Sequence, residues 1–486
     1  MTLRLYPVIV VSALLAGCMV GPKYQKPPVT VPIAFKETPP ESFKESDQWK
    51  AAHPDAAVLR GNWWEIFGDP QLNRLEEQVT LSNQDLKMAE ARFRQARTMV
   101  RFNRASEFPT IGVEPNIQSL RYSPNQPYFP ANVGTSSRSG FTLPFDLSYE
   151  VDLWGRVRRT VTSAREEAQA SAADLETAAL SLHAELAVDY FELRSADAQQ
   201  HLLNQTVDQY GDMVKLTKDL LNGGAVPESD LVQAQTQLDT ARVQDTDIAV
   251  MRAQYEHAIA ILVGKPPADF SLEYSPLNLD PPAIPVGLPS QLLERRPDIA
   301  TSERRVAEAN EGIGIARAAY FPSLVLSATG GLEGNSVVNL FNWPSRFWAV
   351  GPSMLETIFD GGRRRATSDA ALANYDATVA GYRETTLVAF QEVEDNLAAL
   401  RVLEHEAQQQ REAVAEALRG VEIFTNRYQF GIDPYLQVIS AQNIALLNER
   451  NEVDILRRRM DASVLLIKGL GGGWDVSKLP QISSMR

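Results

Sequence analysis

The feature that most constrains the fold of this chain is an internal duplication with an offset of about 210 residues. Three stretches recur in the same order: RASEFP (104–109) as RAAYFP (317–322), DLWGRVRRT (152–160) as FDGGRRRAT (359–367), and GGAVPESDLVQAQ (223–235) as FGIDPYLQVISAQ (430–442). Three ordered matches indicate two copies of one supersecondary plan. We therefore expect two equivalent halves.

Each copy contains a long proline-free stretch with helical periodicity. No proline lies between Pro144 and Pro227, or between Pro352 and Pro434. Apolar residues follow spacings of three and four, and leucines recur seven residues apart, which is typical of a coiled coil. Roughly 65 residues at about 1.5 Å each predict a rod near 100 Å long, well beyond an ordinary globular helix.

A Gly–Pro turn follows each rod and predicts the tip of a helical hairpin. Gly224 and Gly431 fit positions just past a helix C-terminus, and Pro227 and Pro434 fit the start of the next helix. We expect returning helices at about 228–263 and 435–468. Each copy is thus predicted to form a long antiparallel hairpin.

The segments before each rod predict two β-strands per copy. Residues rich in Thr, Val, Leu, Phe and Tyr flank polar loop sequences, so strands are expected near 110–120, 139–151, 322–332 and 346–358, with loops at 122–138 and 333–345. Pro115, Pro144 and Pro352 argue against regular strands, because proline cannot donate to a ladder. Four strands of about ten residues are long enough to cross a bilayer but too few to close a barrel, so several chains would have to share one.

The N-terminus has the pattern of a bacterial export signal that ends at a lipidated cysteine. Arg4 precedes a mostly apolar run over residues 5–16, which is too short to cross a membrane as a helix. LAGC (15–18) resembles a lipobox, and Cys18 is the only cysteine of the chain. A buried, inert thiol is the alternative, but a lone cysteine in an oxidising compartment favours acylation. Met19, in place of the Asp that retains lipoproteins at the inner membrane, indicates the outer membrane.

Composition and motifs argue against an enzyme and against a nucleic-acid-binding protein. The net charge of −14 is unsuited to nucleic acid, whereas the 44% hydrophobic content suits a packed core. No stretch of 18 apolar residues predicts a membrane helix. The five histidines lack ligand spacing, and the glycines of 311–320 and 469–474 match neither a dinucleotide loop nor a phosphate loop. We expect no catalytic residue, no metal and no cofactor beyond a covalent lipid on Cys18, and we interpret WWEIFGDP (63–70) and RPDI (296–299) as structural.

Several longer motifs carry a family resemblance across nearly the whole chain. They are CMVGPKYQKP (18–27), WWEIFGDPQLNRLEEQVTLSNQDL (63–86), ERRPDIATSERRVAEANEGIGIARAAYFPSL (294–324), FDGGRRRA (359–366) and RYQFGIDPYLQV (427–438). With them the chain resembles the TolC-like outer membrane factors, in the lipoprotein branch typified by NodT and OprM. The resemblance implies a mixed α and β fold: a homotrimer in which each chain gives four strands to a shared 12-stranded β-barrel and long helical hairpins to a periplasmic α-barrel.

The same resemblance implies an exit duct in the outer membrane. Such a duct belongs to a tripartite pump, docked to a periplasmic membrane-fusion adaptor and an inner-membrane RND transporter, and exports small toxic compounds such as drugs. Two alternatives stay open: a duct for type I-like protein secretion, which the lipobox disfavours, and a coiled-coil lipoprotein spacer, which would need no strands. The sequence does not identify the exported substrate.

The resemblance also assigns residues to a constriction at the periplasmic end. Leu436, Gln437 and Ser440 are expected to face the lumen at the second hairpin tip, and Tyr428 to tie neighbouring hairpins together. Family members often carry acidic residues at the positions of Gln437 and Ser440, whereas both are neutral here.

Other acidic residues at the tips are candidates to supply the missing negative charge. They are Asp433 in the second copy, and Glu228 and Asp230 in the first. For Asp433 the alternative is local turn chemistry just before Pro434.

The predicted organisation follows from these assignments. In order, it comprises a signal peptide (1–17), a lipidated extended segment (18–62), a first helical segment (63–108), strands 1 and 2 with their loop (109–152), the hairpin of repeat 1 with a linker (153–290), the helix opening repeat 2 (291–320), strands 3 and 4 with their loop (321–359), the hairpin of repeat 2 (360–472) and a C-terminal tail (473–486).

Overall fold

A computed structural model describes residues 19–40, 43, 61–125 and 136–481 of the chain. The predicted signal peptide, Cys18 and much of the predicted loop at 122–138 lie outside these residues.

The two halves of the chain repeat one plan, in which helix is followed by strands, a 67-residue helix and a returning helix, although the first half has an extra helix and a divided first strand. The first half comprises helices α1 (Pro70–Ser82) and α2 (Gln84–Arg104), strands β1 (Thr110–Val113), β2 (Asn116–Leu120) and β3 (Arg138–Val151), and helices α3 (Arg156–Asn222) and α4 (Glu228–Leu262). The second comprises α5 (Pro297–Ala318), β4 (Ser323–Gly334), β5 (Arg346–Leu355), α6 (Arg363–Gln429) and α7 (Tyr435–Gly469). Short helical turns lie at Trp63–Phe67, Ala105–Glu107, Pro267–Asp269, Pro289–Gln291, Leu292–Arg295, Val337–Leu340, Trp343–Ser345 and Val476–Lys478.

The predicted helical rods are confirmed, with the same length in both halves. Helices α3 and α6 each have 67 residues, and the returning helices α4 and α7 each have 35. At about 1.5 Å per residue the longer helices extend about 100 Å. The helices pair within each hairpin, and α3 also packs against α7, which joins the two hairpins along their length.

A nearby aspartate caps the start of each long helix, although the two aspartates are one position apart in the aligned repeats. The Asp152 carboxylate accepts hydrogen bonds from the backbone N–H groups of Val157 and Arg158, at 3.1 and 2.9 Å. In the second half Asp360 accepts from the N–H groups of Gly362 and Arg364, at 3.0 and 3.1 Å. Both carboxylates thus satisfy N–H groups at a helix N-terminus, which have no partner within the helix itself.

The strands form one antiparallel sheet in which β1 and β2 both pair with β3, and β4 pairs with β3 and with β5. The predicted first strand is therefore divided into two. Val113 pairs with Phe145 and Asn116 pairs with Thr142, so the break around Pro115 lies opposite Pro144. Because neither proline has an N–H to donate, the ladder is interrupted where the two meet.

The main core lies where the middle of α3 meets α1, α7 and the turn at Trp63–Phe67. Trp63 and Trp64 are buried, and Trp64 stacks on His183 with ring centroids 4.5 Å apart. His183 Nδ1 lies 2.6 Å from the Glu76 carboxylate. Burial raises the pKa of Glu76 and lowers the pKa of His183 to about 4, so desolvation disfavours the charged form of each group. The structural interpretation of the WWEIFGDP motif agrees with these contacts.

Residues 19–40 form an extended segment that contacts helices of both halves. The Glu394 carboxylate accepts hydrogen bonds from the N–H groups of Lys36 and Glu37, at 2.7 and 2.8 Å. Nearer its start, the buried Arg159 donates to the carbonyl oxygens of Val20 and Pro22, at 2.7 and 3.1 Å. The segment is therefore fixed at both ends.

Candidate functional site: the sheet, the hairpin tips and the seam

The sheet has one apolar face and one polar face. In β3, Phe141, Leu143, Phe145, Leu147, Tyr149 and Val151 alternate with Thr142, Pro144, Asp146, Ser148 and Glu150. The ladder register continues the apolar face into β4 through Leu324, Leu326 and Leu332, and into β5 through Trp348, Val350 and Met354. Trp348 is 79% exposed and Val350 71% exposed. A broad apolar surface is thus left open on the single chain.

The two hairpin tips close in the way that their glycines predict. Gly224 and Gly431 have φ angles of +71° and +69°, a region that other residues rarely adopt. In both turns the glycine N–H bonds to a carbonyl three residues back, and the next N–H bonds to one five residues back. These are Schellman motifs. Pro227 and Pro434 then precede the first residue of the returning helices.

Leu436, Gln437 and Ser440 all lie on the exposed side of the first turns of α7, and Leu436 is 61% exposed. The opposite side of this helix buries Tyr435 and Val438 against the rest of the tip. The three predicted constriction residues thus share one free face of the second hairpin, and their lumen-facing role stays a prediction.

Tyr428 connects the two hairpins of the same chain. Its buried ring packs on Tyr435 with centroids 5.1 Å apart, and its hydroxyl donates to the Asp230 carboxylate of the first hairpin at 3.4 Å. Burial raises the pKa of the Tyr428 hydroxyl, which keeps it protonated as a donor. Asp230 is therefore engaged with this tyrosine, while Glu228 lies exposed on the same turn.

The negative charge of Asp433 is balanced by an ion pair with a residue of the same turn. Its carboxylate receives hydrogen bonds from Arg427 Nε at 2.5 Å and from Arg427 Nη2 at 3.0 Å. These bonds hold the pKa of Asp433 below its ordinary value. The pair spans the Gly431 turn, so the contact belongs to the turn chemistry that was the alternative for this residue.

A row of polar contacts joins the two hairpins above their tips, and successive contacts are seven residues apart along each helix. Gln237 of α4 donates to Asn443 of α7 at 2.6 Å, and Arg450 donates to Gln244 at 3.4 Å. One further step of seven residues along α7 leads to Arg457. We call the contacts from Tyr428 to Arg457 the seam. Spacing by seven keeps each pair on the same side of its helix.

The upper end of the seam gathers several carboxylates around one cation. Arg457 contacts Glu192 of α3, Asp454 at 2.8 Å and Asp461 at 3.0 Å. Asp461 Oδ1 is buried and has no hydrogen-bond partner among the described residues. Burial, with the nearby charge of Glu192, raises the pKa of Asp461 to about 7. Burial and neighbouring carboxylates raise the pKa of Asp189 to about 6.

The sequence predictions did not include the seam residues Gln237, Gln244, Asn443, Arg450 and Arg457. The signal available in the sequence is the recurrence of polar residues every seven positions in α7, which indicates a polar side facing another helix. Among the described residues, no group of three or more His, Cys, Asp or Glu side chains is arranged to hold a metal ion. Of the helices described, none combines the length and the apolar character needed to cross a membrane.

Comparison with known proteins places this architecture in a family. The model of the outer membrane efflux protein family matches residues 75–265 and 288–472. The toluene efflux pump outer membrane protein TtgF of Pseudomonas putida is 32% identical over 479 residues, covering 97% of each chain. The antibiotic efflux pump outer membrane protein ArpC, also of Pseudomonas putida, is 31% identical over 483 residues, covering 98% of this chain and 96% of ArpC.

A solved structure agrees with these relatives. The Campylobacter jejuni CmeC outer membrane channel superposes with a TM-score of 0.86 at 25% identity, covering 96% of this chain and 97% of that chain. The duplicated hairpins, the amphipathic sheet and the family match over most of the sequence lead to one conclusion: the chain belongs to the outer membrane efflux proteins and is the outer membrane channel of an efflux pump.

Proposed function

We propose that this chain assembles as a homotrimer and forms the exit duct of a tripartite pump. Each chain contributes its sheet to a shared 12-stranded β-barrel in the outer membrane and its hairpins to a periplasmic α-barrel. The duct docks to a periplasmic membrane-fusion adaptor and receives its cargo from an inner-membrane RND transporter.

The observation that carries the proposal is the open, amphipathic sheet. Within the described part of the chain, strands β1, β2 and β5 each pair on one side only, so both edges of the sheet have N–H and C=O groups without a strand partner there. In a bilayer such edges are not tolerated, because no water is present to satisfy them. Pairing the β5 edge of one chain with the β1 and β2 edge of the next satisfies both edges and directs the apolar face to lipid.

The proposed lipid anchor is a diacylglyceryl group on the Cys18 sulfur, with an acylated amino terminus. The anchor fits the outer membrane, where the barrel and the lipid chains share one bilayer. Intact mass of the mature protein tests it: an unmodified thiol at residue 18, or a mature start elsewhere, contradicts acylation. Cys18→Ser should remove the lipid and leave the trimer able to form.

The proposed constriction is a ring of the free faces of the second hairpin tips. Three copies of Leu436, Gln437 and Ser440 would surround one axis, and the neutralised Asp433 would contribute little charge to it. The proposed cargo is small toxic compounds, including organic solvents and drugs, which the names of TtgF and ArpC support. An open duct contacts its cargo weakly, so we assign substrate choice to the inner-membrane transporter.

Two lysine substitutions on adjacent residues of β5 test the assembly. Val350→Lys places a charge on the face proposed to contact lipid, and Ala349→Lys places the same charge at the same depth on the opposite face. A lysine in the middle of the lipid-facing surface costs about 2–4 kcal/mol. We expect Val350→Lys to reduce the yield of detergent-stable trimer, measured by native mass spectrometry, and Ala349→Lys to leave it unchanged.

A stable folded monomer of the unaltered protein would overturn the trimer. Equal losses for the two lysine variants would overturn the orientation of the sheet. Conductance of the purified trimer in a planar bilayer distinguishes a duct from a coiled-coil spacer, which would pass no current.

A further inference from the structure

The connection between β4 and β5 is a short loop at the end of the sheet farthest from the helices. Strand β4 begins at Ser323, close behind α5, and ends at Gly334, and β5 returns from Arg346 toward α6. Because the helical part of these channels lies in the periplasm, residues 335–345 lie at the outer surface of the outer membrane. We call these residues the outer loop.

The outer loop is held in shape by its own hydrogen bonds. The Ser336 hydroxyl accepts from the Asn339 N–H at 3.3 Å and caps the turn Val337–Leu340. The Ser345 hydroxyl donates to the Asn339 carbonyl at 2.7 Å, and the Ser345 N–H donates to the Asn342 carbonyl at 3.0 Å. The loop therefore presents its other side chains from a fixed backbone.

The outer loop folds over the apolar face of the sheet. Gly334 pairs with Phe141, and the side chains of paired residues point to the same face. A Cβ atom at Gly334 would therefore point to the apolar face, and it would lie 3.3 Å from the Leu340 Cα. The turn Val337–Leu340 also packs on β3 and β4. The loop thus continues the surface that the proposed barrel turns toward lipid.

Four large apolar side chains of the outer loop are exposed. They belong to Val337, Val338, Phe341 and Trp343, and Trp343 is 81% exposed. A group of exposed apolar side chains marks a surface that meets a partner or a membrane. Aromatic rings are enriched where the hydrocarbon of a bilayer meets its headgroups, so the loop fits that layer.

Arg346 places a positive charge at the outer limit of the same surface. It pairs with Leu332 and so lies on the apolar face, eight residues along β5 from Met354 near the inner end. At about 3.3 Å per residue and a strand tilt of about 40°, this separation is about 20 Å across the membrane, within an apolar band of about 25 Å. An arginine side chain that extends outward covers the remaining distance, so its charge reaches the headgroups.

The guanidinium of Arg346 is positioned without being neutralised. Its Nε donates to the Trp343 carbonyl at 3.3 Å, and the group lies over the indole ring. No carboxylate among the described residues pairs with Arg346, which leaves its terminal N–H groups for an outside acceptor. The other charged residues described at this end of the sheet are Arg121, Arg138 and Glu333, so the end is cationic although the chain carries a net charge of −14. A cation beside exposed apolar rings suits a phosphate group that is attached to hydrocarbon.

We propose that Arg346 and the outer loop bind lipid A, the phosphorylated glycolipid of the outer leaflet. The Arg346 guanidinium donates to a phosphate oxygen of the diglucosamine, while Phe341 and Trp343 lie among the first carbons of the acyl chains. Each chain carries one site, on the outside of the barrel. The inference rests on the proposed orientation of the sheet, and it adds which lipid the outer end of the sheet recognises.

Native mass spectrometry of the delipidated trimer in a nonionic detergent tests the site. The trimer is titrated with lipid A, with dephosphorylated lipid A and with phosphatidylglycerol. We expect lipid A to bind at least fivefold more tightly than either comparison lipid, with three phosphate-dependent sites per trimer. Arg346→Gln should remove this preference, and Arg346→Lys should keep most of it because the charge is retained. The matched control is Arg138→Gln, which removes an exposed arginine from the polar face at the same end of the sheet and should leave the preference unchanged.

The outcomes separate the lipid site from the proposed assembly. Equal binding of lipid A and its dephosphorylated form overturns the site, and so does phosphatidylglycerol bound as tightly as lipid A. Equal losses in Arg346→Gln and Arg138→Gln overturn the assignment to Arg346. If Arg346→Gln forms no trimer, the three titrations of the unaltered trimer and the Trp343→Ser variant, which should weaken lipid A binding, decide the question. A chain that binds lipid A selectively as a monomer would keep the site and overturn the trimer.

Discussion

Replacing Asp461 with Asn should stabilise the channel at neutral pH and flatten the pH dependence of that stability. Asp461 lies at the upper end of the seam, where Arg457 is shared among three carboxylates. One Asp461 oxygen is buried without a partner in the described chain, and burial raises the pKa of this carboxyl to about 7. An amide of the same shape carries no charge, so it removes the cost of ionising a buried group.

The sign and the size of the effect follow from proton linkage. Because the pKa of Asp461 is raised in the folded protein, the native state holds its proton more tightly than the unfolded chain does. The resulting stability is fully present below about pH 4 and is lost as the pH rises to about 7. A pKa of about 7 instead of the ordinary 3.8 corresponds to a loss on the order of 4 kcal/mol per chain once the pH exceeds both values.

The pH dependence of stability is measured by thermal unfolding of the detergent-solubilised trimer, monitored by circular dichroism between pH 4.5 and 7.5. We expect Asp461→Asn to unfold several degrees above the unaltered protein at pH 7.5, and the gap to shrink toward pH 4.5. The control is Asp454→Asn, which changes a half-exposed partner of the same Arg457. An Asp461→Asn variant that unfolds below the unaltered protein at pH 7.5 would refute the reasoning, since Asp461 would then be an ionised, stabilising partner.

The hairpin tip supplies three more predictions, all read from single-channel recordings. Ser440→Asp should increase both the cation selectivity of the channel and its inhibition by trivalent cations, because three like charges would surround the axis. If the reversal potential in asymmetric salt is unchanged, residue 440 does not line the pore. Arg427→Gln should shift the reversal potential in the same direction by releasing Asp433 from its partner, and no shift would mean that Asp433 lies away from the ion path. Tyr428→Ala should raise basal conductance more than Tyr428→Phe, which keeps the packing on Tyr435; basal conductance unchanged in both would show that this contact does not hold the tip closed.

The hairpins were predictable because their signals are local. A Gly–Pro turn and a long proline-free stretch lie within a continuous run of sequence, and the returning helix expected at about 228–263 is found at Glu228–Leu262. The first strand was predicted as continuous and is divided, because the interruption depends on Pro115 meeting Pro144 across the ladder. That meeting is a property of the strand register, which composition does not specify.

In the candidate site, too, local features could be predicted from the sequence and long-range contacts could not. Leu436, Gln437 and Ser440 were assigned through the family resemblance, and their spacing along α7 is consistent with the one exposed face on which the structure places them. The contact between Gln237 and Asn443 joins residues 206 positions apart, so neither residue alone indicates it. The neutralisation of Asp433 lies between these cases, since Arg427 is close in sequence but reaches the carboxylate only because the Gly431 turn folds back.

The equal lengths of the two hairpins restrict how a channel of this kind can change during evolution. Both tips lie at the ends of 67-residue helices, so an insertion in α3 alone would push one tip beyond the other. Seven added residues lengthen a helix by about 10 Å. They also preserve the side on which Gln244 and Arg450 meet, whereas a shorter insertion rotates one of them away. Such channels should therefore lengthen or shorten in matched steps of seven residues, made in both halves and in both helices of each hairpin.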